Sequence, residues 1–252
     1  TVRKILHEEL KMKKVCGKWV PKKLTPDLKF VRQEMCSYLL ERLNEEPELM
    51  ANIITCDVVS LFQYDIQTKR QSMDLKAPAS PRMKKAKMSK FEFKVTFIVF
   101  FDIKGIVMTE WVLEDKTVTH TDSLKVLATF QKQVRVKRPE IWKNKTWFLH
   151  HNNALTHTLS VKRYLATGSI PILKHPSYSP DLAPSDYFLY PKIKSALKGT
   201  RFKTTEEMKQ KSAELLNTLT KEDFQYCFTQ WKKRMEQCVA MKGEFVEGDH
   251  QL

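Results

Sequence analysis

The chain has 252 residues, of which 42% are hydrophobic and 10% aromatic. This is enough for one large folded domain with a small appendage, and it excludes an intrinsically disordered protein. No apolar run approaches the roughly 20 residues that a membrane helix needs, so no membrane span is predicted. The net charge of +15 favours a polyanionic partner, nucleic acid first, with a generically basic surface as the alternative. The five cysteines are scattered without a CxxC pair and are interpreted as reduced intracellular thiols.

The N-terminal part is predicted to be helical. "TVRKILHEELKMKK" has the spacing of a short basic helix, and "KWVPKKL" is typical of an extended linker because proline cannot continue a helix. In "TPDLKFVRQEMCSYLLERLNEEP", Thr25 is the predicted N-cap and Pro26 the first helical residue. The apolar positions of this helix keep helical spacing until Pro47 and are Leu28, Val31, Met35, Leu39 and Leu43.

After residue 50 the apolar period changes to that of strands. "NIITCDVVSLFQYD" predicts one strand, and "KVTFIVFFDIKGIVMTEWVL" predicts two strands that turn at residues 102–105. Helices predicted near 120–137 and 157–166 lead to the strands "TWFLHHN" and "IPILKH". The C-terminal part is helical, with a capping box predicted from Thr204 to Glu207. This order predicts an α/β fold in which a mixed sheet carries helices on both faces.

Oxygen-bearing side chains stand at the ends of several of these elements. Asp57 follows an apolar strand, Asn152 ends "TWFLHHN", and Asp186 lies in a proline-rich loop that enters a helix. Three oxygen ligands from separate elements can converge on divalent cations, and two such cations can support phosphodiester cleavage. By itself this pattern is weak, because an aspartate at a strand end or helix start is more often structural.

Several blocks of the sequence resemble those of one protein family, the mariner transposases. "YSPDLAPSDYFLYPKIKSALKG", residues 178–199, resembles the family's signature block. "WVPKKL" resembles the linker before the catalytic part, and "IITCD" resembles the strand that carries the first catalytic aspartate. "HHNNALTHT" resembles the block "HHDNAPAHT", and "FTQWKKRMEQCVAMKGEF" resembles the C-terminal helix. The blocks occur in the family's order along essentially the whole chain.

The resemblance implies an RNase H-like catalytic domain preceded by helix-turn-helix units that bind the terminal inverted repeats of a transposon. It divides the chain into a remnant of the second helix-turn-helix with its recognition helix (1–18), a linker and helix (19–50) and the catalytic domain (51–252). It also implies a homodimer that cleaves and joins double-stranded DNA in the nucleus, with aspartates that hold two Mg²⁺ or Mn²⁺ ions.

Carried over position by position, the catalytic and metal-binding triad falls on Asp57, Asn152 and Asp186. The amide of Asn152 keeps one carbonyl oxygen but loses a negative charge, and Asn153 offers no carboxylate either. We therefore expect impaired cleavage. Two alternatives remain open: a weak, Mn²⁺-dependent nuclease, or an inert DNA-binding and dimerising remnant, alone or in a fusion such as one with a histone methyltransferase.

The resemblance also assigns residues outside the triad. The histidines His150, His151 and His157 are expected to support the strand end and the following helix rather than to form a metal cluster. The residues expected to contact DNA are Arg3, Lys4, Lys11, Lys84, Lys85, Lys87 and Lys90. The residues expected in linker and subunit contacts are Trp19, Val20, Pro21, Tyr178, Ser179, Pro180, Asp181 and Leu182.

Overall fold

A computed structural model describes residues 2–10, 20–63, 93–112, 120–151, 159–168 and 170–246. Its sheet has the strand order β3-β2-β1-β4-β5. β1 pairs antiparallel with β2 and β2 with β3, whereas β4 runs parallel to β1 and β5 parallel to β4. The predicted mixed sheet is therefore confirmed. The strands are β1 (Ile53–Phe62), β2 (Lys94–Asp102), β3 (Gly105–Val112), β4 (Phe148–His151) and β5 (Ile172–Leu173).

The central strands are apolar on both faces, so the sheet is covered on both. In β2, Phe97, Val99 and Phe101 belong to one core cluster, while the alternate residues Ile98 and Phe100 belong to the other. A strand with two apolar faces has to be packed between two layers of helices.

Helices therefore form two layers. The helices are α1 (Val2–Lys4), α2 (Pro26–Glu45), α3 (His120–Lys137), α4 (Pro139–Asn144), α5 (Leu159–Thr167), α6 (Tyr190–Leu197), α7 (Thr205–Thr218) and α8 (Lys221–Ala240). α2, α6, α7 and α8 cover the first cluster, and α3, α4 and α5 cover the second. Within the described residues, no helix is long and apolar enough to cross a membrane.

The β2–β3 turn forms where the sequence predicts it. Oδ1 of Asp102 accepts the backbone N–H groups of Lys104 and Gly105 at 2.8 and 3.0 Å. Gly105 has a φ of +131°, which a residue with a side chain rarely adopts. Nε of Arg138 donates to the other carboxylate oxygen of the buried Asp102 at 2.5 Å. The turn is thus fixed to the end of α3 by a charge-assisted hydrogen bond.

The helix caps confirm one prediction and correct another. The hydroxyl of Thr25 accepts the N–H of Leu28 at 3.3 Å, with Pro26 as the first residue of α2. Thr204 caps α7 by accepting the N–H of Glu207, but the Glu207 carboxylate accepts the N–H of Lys203. The capping box predicted there is therefore only half formed. The reciprocal box lies at the start of α8, between Thr220 and Asp223.

The buried face of α2 departs over its first half from the apolar positions that keep helical spacing in the sequence. The buried positions of α2 are Arg32, Cys36, Leu39 and Leu43, whereas Val31 is 39% exposed. A charged residue, Arg32, takes a buried position that apolar spacing would give to an apolar residue. Arg32 can be buried because it forms an ion pair with Asp181. Asp181 is distant in sequence and is brought to Arg32 only by the fold.

Candidate active site

Asp57 lies in the middle strand of the sheet, on the face covered by α2, α6 and α8. Its neighbours in the alternating pattern, Val59 and Leu61, pack in the first core cluster. Asp57 is 9% exposed, and its Oδ1 accepts the N–H of Val58 at 2.7 Å. Burial raises the pKa of Asp57 to about 6, because a charged carboxylate loses hydration that this one hydrogen bond replaces only in part.

Asp186 is presented by a wide turn of helix. Residues Ser185–Leu189 form a π-helical turn directly before α6, closed by the N–H of Tyr190 on the carbonyl of Ser185. Pro191 lacks an N–H and cannot donate to the carbonyl of Tyr187, so an ordinary α-helix could not run unbroken through this point. The pKa of Asp186 is raised to about 7, first by burial and then by the negative charges of Asp57 and Asp181.

The two aspartates thus form a pair from separate elements. β1 is in contact with the π-helical turn, and the charge of Asp57 adds to the burial that raises the pKa of Asp186. Two partly desolvated carboxyl groups with elevated pKa values are a donor set that a divalent cation would stabilise. The sequence prediction that Asp57 and Asp186 share a site has this electrostatic support.

The third predicted residue, Asn152, lies outside the described residues. Its strand, β4, pairs with β1 so that His150 is opposite Thr55 and His151 is opposite Cys56. The last residue of β4, His151, is thus paired with the residue just before Asp57. Position 152 follows His151 directly in sequence. The described part of the chain contains no cluster of three His, Cys, Asp or Glu side chains that could hold a metal.

A buried chain of hydrogen bonds supports the two strands beneath this pair. It runs from Thr55 Oγ1 to His150 Nδ1 (2.9 Å), from His150 Nε2 to His175 Nδ1 (3.1 Å) and from His175 Nε2 to the carbonyl of Ser179 (3.0 Å). Burial lowers the pKa of both histidines, so both rings are neutral. A carbonyl only accepts, so His175 donates to Ser179, His150 donates to His175, and the Thr55 hydroxyl donates to His150.

This chain also gives His150 the supporting role that the family resemblance implied. The ring of His150 packs 4.6 Å from that of Trp231 in α8, measured between centroids. Thr55, His150 and Ser179 belong to the strand of Asp57, the strand leading to position 152 and the loop leading to Asp186. All three elements that carry the predicted triad are therefore tied together by neutral groups. His157 lies outside the described residues.

An ion pair that sequence reasoning missed fixes the loop before Asp186. Arg32 is fully buried and binds the Asp181 carboxylate through two nitrogens, at 3.0 and 2.7 Å. The same guanidinium donates to the carbonyls of Gly243 and Glu244, and the N–H of Val246 donates to Asp181. Nothing in the sequence marks Arg32 for burial, because an arginine in a helix usually faces solvent.

The predicted linker and subunit-contact residues separate into buried and exposed members. Ser179 and Leu182 are buried, and Asp181 forms the ion pair with Arg32. Tyr178 is 48% exposed at a φ of +56°, and Nζ of Lys22 in the linker lies 4.6 Å from its ring centroid. Val20 and Pro21 are exposed, and Trp19 lies outside the described residues. The linker thus reaches the signature loop within one chain.

Few of the predicted DNA contacts can be located. Lys4 is exposed, with Nζ 3.9 Å from the Glu8 carboxylate. The apolar residues of this N-terminal segment, Val2, Ile5 and Leu10, are also exposed. Lys11 and the four lysines between 84 and 90 lie outside the described residues, as does the side chain of Arg3.

Two sequence relatives match almost the whole chain. The mariner Mos1 transposase of Drosophila mauritiana is 31% identical over 245 residues, which is 96% of this chain and 69% of that protein. The human histone-lysine N-methyltransferase SETMAR is 24% identical over 248 residues, which is 98% of this chain and 36% of SETMAR. The family described as "Transposase (partial DDE domain)" matches residues 65–144.

Solved structures agree with this likeness. The pre-cleavage Mos1 transpososome superposes with a TM-score of 0.83 at 27% identity, covering 98% of this chain and 76% of the transposase chain in that structure. A Mos1 paired-end complex with Mn matches with the same values. The catalytic domain of Mos1 matches with a TM-score of 0.75 at 26% identity, covering 91% of this chain and all of that domain. The described sheet and its helices are the RNase H-like fold that the sequence predicted. The chain therefore belongs to the mariner family of transposases.

Proposed function

We propose that this transposase-derived chain binds the terminal inverted repeats of a mariner element as a homodimer, with a divalent-metal site too weak for efficient cleavage. The observation that carries the proposal is the pairing of Asp57 with Asp186 beside the end of β4, where the next residue in sequence is Asn152. In the family pattern that position carries an aspartate.

The two aspartates fit a divalent cation, and Asn152 fits it less well. Asp57 and Asp186 would hold Mg²⁺ or Mn²⁺ through carboxylate oxygens, and a bound cation would offset the burial that raises the pKa of both groups. Bound cations in such a site supply water activation and stabilisation of the leaving oxygen in phosphodiester cleavage. Asn152 would offer only a neutral carbonyl oxygen. The expected consequence is weaker metal binding and a large loss of cleavage.

The proposed DNA partner is supported by charge and by the relatives. The surplus of +15 suits the phosphate backbone, and Mos1 forms paired-end complexes. Arg3, Lys4, Lys11 and the lysines at 84, 85, 87 and 90 are proposed to contact DNA. Because the proposed ligand is chromosomal DNA, we also propose that the chain acts in the nucleus. The division of the chain at residues 18 and 50 remains a proposal. It places α2 outside the catalytic domain, although α2 packs in the same core cluster as α8.

The decisive experiment is a plasmid-nicking assay with Mg²⁺ and with Mn²⁺. The unmodified chain is expected to nick weakly or not at all, and Asn152→Asp is expected to restore nicking. Asp57→Ala in the Asn152→Asp chain serves as the matched control and should abolish it. Strong nicking by the unmodified chain that Asp57→Ala removes would contradict the proposal of a weakened site.

A second candidate is an inert DNA-binding and dimerising module within a larger fusion. The match to SETMAR favours it, because this chain aligns along almost its whole length with about a third of a protein named as a histone methyltransferase. A gel-shift series with inverted-repeat and scrambled duplexes at increasing salt tests the binding that both candidates require. Equal affinity for the two duplexes would leave only non-specific electrostatic binding.

A further inference from the structure

The segment that carries Asp186 combines short turns of its own with contacts from distant parts of the chain. It consists of a 3-10 turn, Pro180–Leu182, followed by the π-helical turn Ser185–Leu189. The N–H of Ala183 donates to the carbonyl of Pro180, and the N–H of Asp186 donates to the carbonyl of Ala183. Short 3-10 turns have poorer hydrogen-bond geometry than an α-helix. Contacts from outside the segment therefore add to the restraint on where the Asp186 carboxylate lies.

One residue of α8, Arg234, contacts the segment on both sides of Asp186. Its Nη1 donates to the carbonyl oxygen of Asp181 at 3.1 Å. Its guanidinium carbon lies 4.5 Å from the ring centroid of Tyr187, the residue after Asp186. The hydroxyl of Tyr187 in turn donates to the carbonyl of Cys227, also in α8, at 3.0 Å. The residues on both sides of Asp186 are therefore in contact with the same helix, α8.

The helix that carries Arg234 is a firm base for these contacts. Its residues Phe228, Trp231 and Met235 are almost fully buried in the first core cluster. Arg234 itself is half-buried, so it joins the protein interior to the edge of the site. A planar guanidinium can stack on an aromatic ring and donate in its plane at the same time, which an ammonium group cannot do.

We propose that Arg234 is a positioning residue for the metal site, setting the place of Asp186 relative to Asp57. This inference rests on the proposed function, because it takes Asp186 to be a metal ligand. Arg234 acts through Asp181 and Tyr187 and does not itself hold the cation. Arg32 binds the carboxylate of Asp181, while Arg234 donates to its backbone carbonyl.

The test uses Mn²⁺ as the probe and binding as the readout. Mn²⁺ titrations followed by electron paramagnetic resonance are made on the unmodified chain and on Asn152→Asp. In both, Arg234→Gln is expected to weaken Mn²⁺ binding about tenfold or more, as removal of a ligand-orienting contact does in other metal sites. Arg234→Lys is expected to fail to rescue the affinity, although it keeps the charge. Lys233→Gln, an exposed cation one residue away on α8, is the matched control and should leave affinity unchanged.

Hydrogen exchange separates failure of this inference from failure of the proposed function. Arg234→Gln is expected to speed exchange at the amides of 182–183 and 185–187, while the core amides of α8 and the midpoint of urea unfolding stay near those of Lys233→Gln. Unchanged exchange there, or Mn²⁺ affinity equal to that of the control, would overturn the positioning role. The metal-site proposal fails if the Asn152→Asp chain binds no Mn²⁺, or binds Mn²⁺ equally well after Asp57→Ala is added. In that case hydrogen exchange alone decides whether Arg234 positions the segment.

Discussion

Replacing Gly243 with alanine should displace the C-terminal segment, residues 243–246, from its contact with α2. Gly243 has a φ of +80°, and a Cβ at this position would lie 2.6 Å from the carbonyl carbon of Lys29, 2.8 Å from its Cα and closer still to its carbonyl oxygen. These are backbone atoms within α2, so no side-chain rotation can relieve the overlap. The segment has to move away from the helix.

The cost follows from the bonds that this movement breaks. Arg32 donates to the carbonyls of Gly243 and Glu244 at 2.8 and 3.0 Å, and Val246 donates to Asp181 at 2.8 Å. Hydrogen bonds to charged groups contribute about 1.5–3 kcal/mol each, and some of them would be replaced by water. An alanine in the left-handed region adds about 1 kcal/mol. We expect the free energy of unfolding to fall by about 4–6 kcal/mol in total.

The matched control is Gly199→Ala, since Gly199 has nearly the same backbone angle, φ +82°. This variant carries the backbone cost of about 1 kcal/mol, so the difference between the two variants isolates the contact with α2. Urea unfolding followed by tryptophan fluorescence measures both. Equal destabilisation by the two substitutions would refute the reasoning that the C-terminal segment is seated against α2.

Three further predictions concern the same region. Arg32→Met should destabilise the chain by about 3–5 kcal/mol because it leaves Asp181 buried without its partner. Adding Asp181→Leu should recover much of that loss. A double variant that unfolds at lower urea concentration than Arg32→Met would contradict this. Without metal, the free energy of unfolding should fall as pH rises from about 4 to 7, because the folded chain retains protons on Asp57 and Asp186 that the unfolded chain releases. Asp57→Asn should raise the free energy of unfolding at pH 8 by about 3 kcal/mol but change it little near pH 4. An equal effect at both pH values would count against the raised pKa of Asp57. Thr55→Val should cost about 1–3 kcal/mol by leaving His150 Nδ1 without its donor, with the exposed Thr229→Val as control, and equal unfolding midpoints for the two would argue against the buried chain.

The sequence by itself determined the layers and the order of the strands and helices along the chain. The nearly continuous apolar run of β2 marks a strand buried on both faces, and this pattern requires helices on both sides wherever they lie in the chain. Thr25 and Pro26 fix the start of α2 because capping is a local matter of a hydroxyl and a backbone N–H three residues apart. The signature blocks predicted Asp57 and Asp186 as members of one site, and this prediction depended on resemblance and not on spacing.

The tertiary structure decided what each charged group meets. Arg32 stands in a helix whose sequence predicts an exposed arginine, and it is buried only because Asp181 and the carbonyls of Gly243 and Glu244 arrive from distant parts of the chain. The same holds for the raised pKa values of Asp57 and Asp186 and for the grip of Arg234 on both sides of Asp186. Periodicity and capping depend on neighbours in sequence, whereas desolvation and charge pairing depend on neighbours in space, and these exist only once the chain has folded.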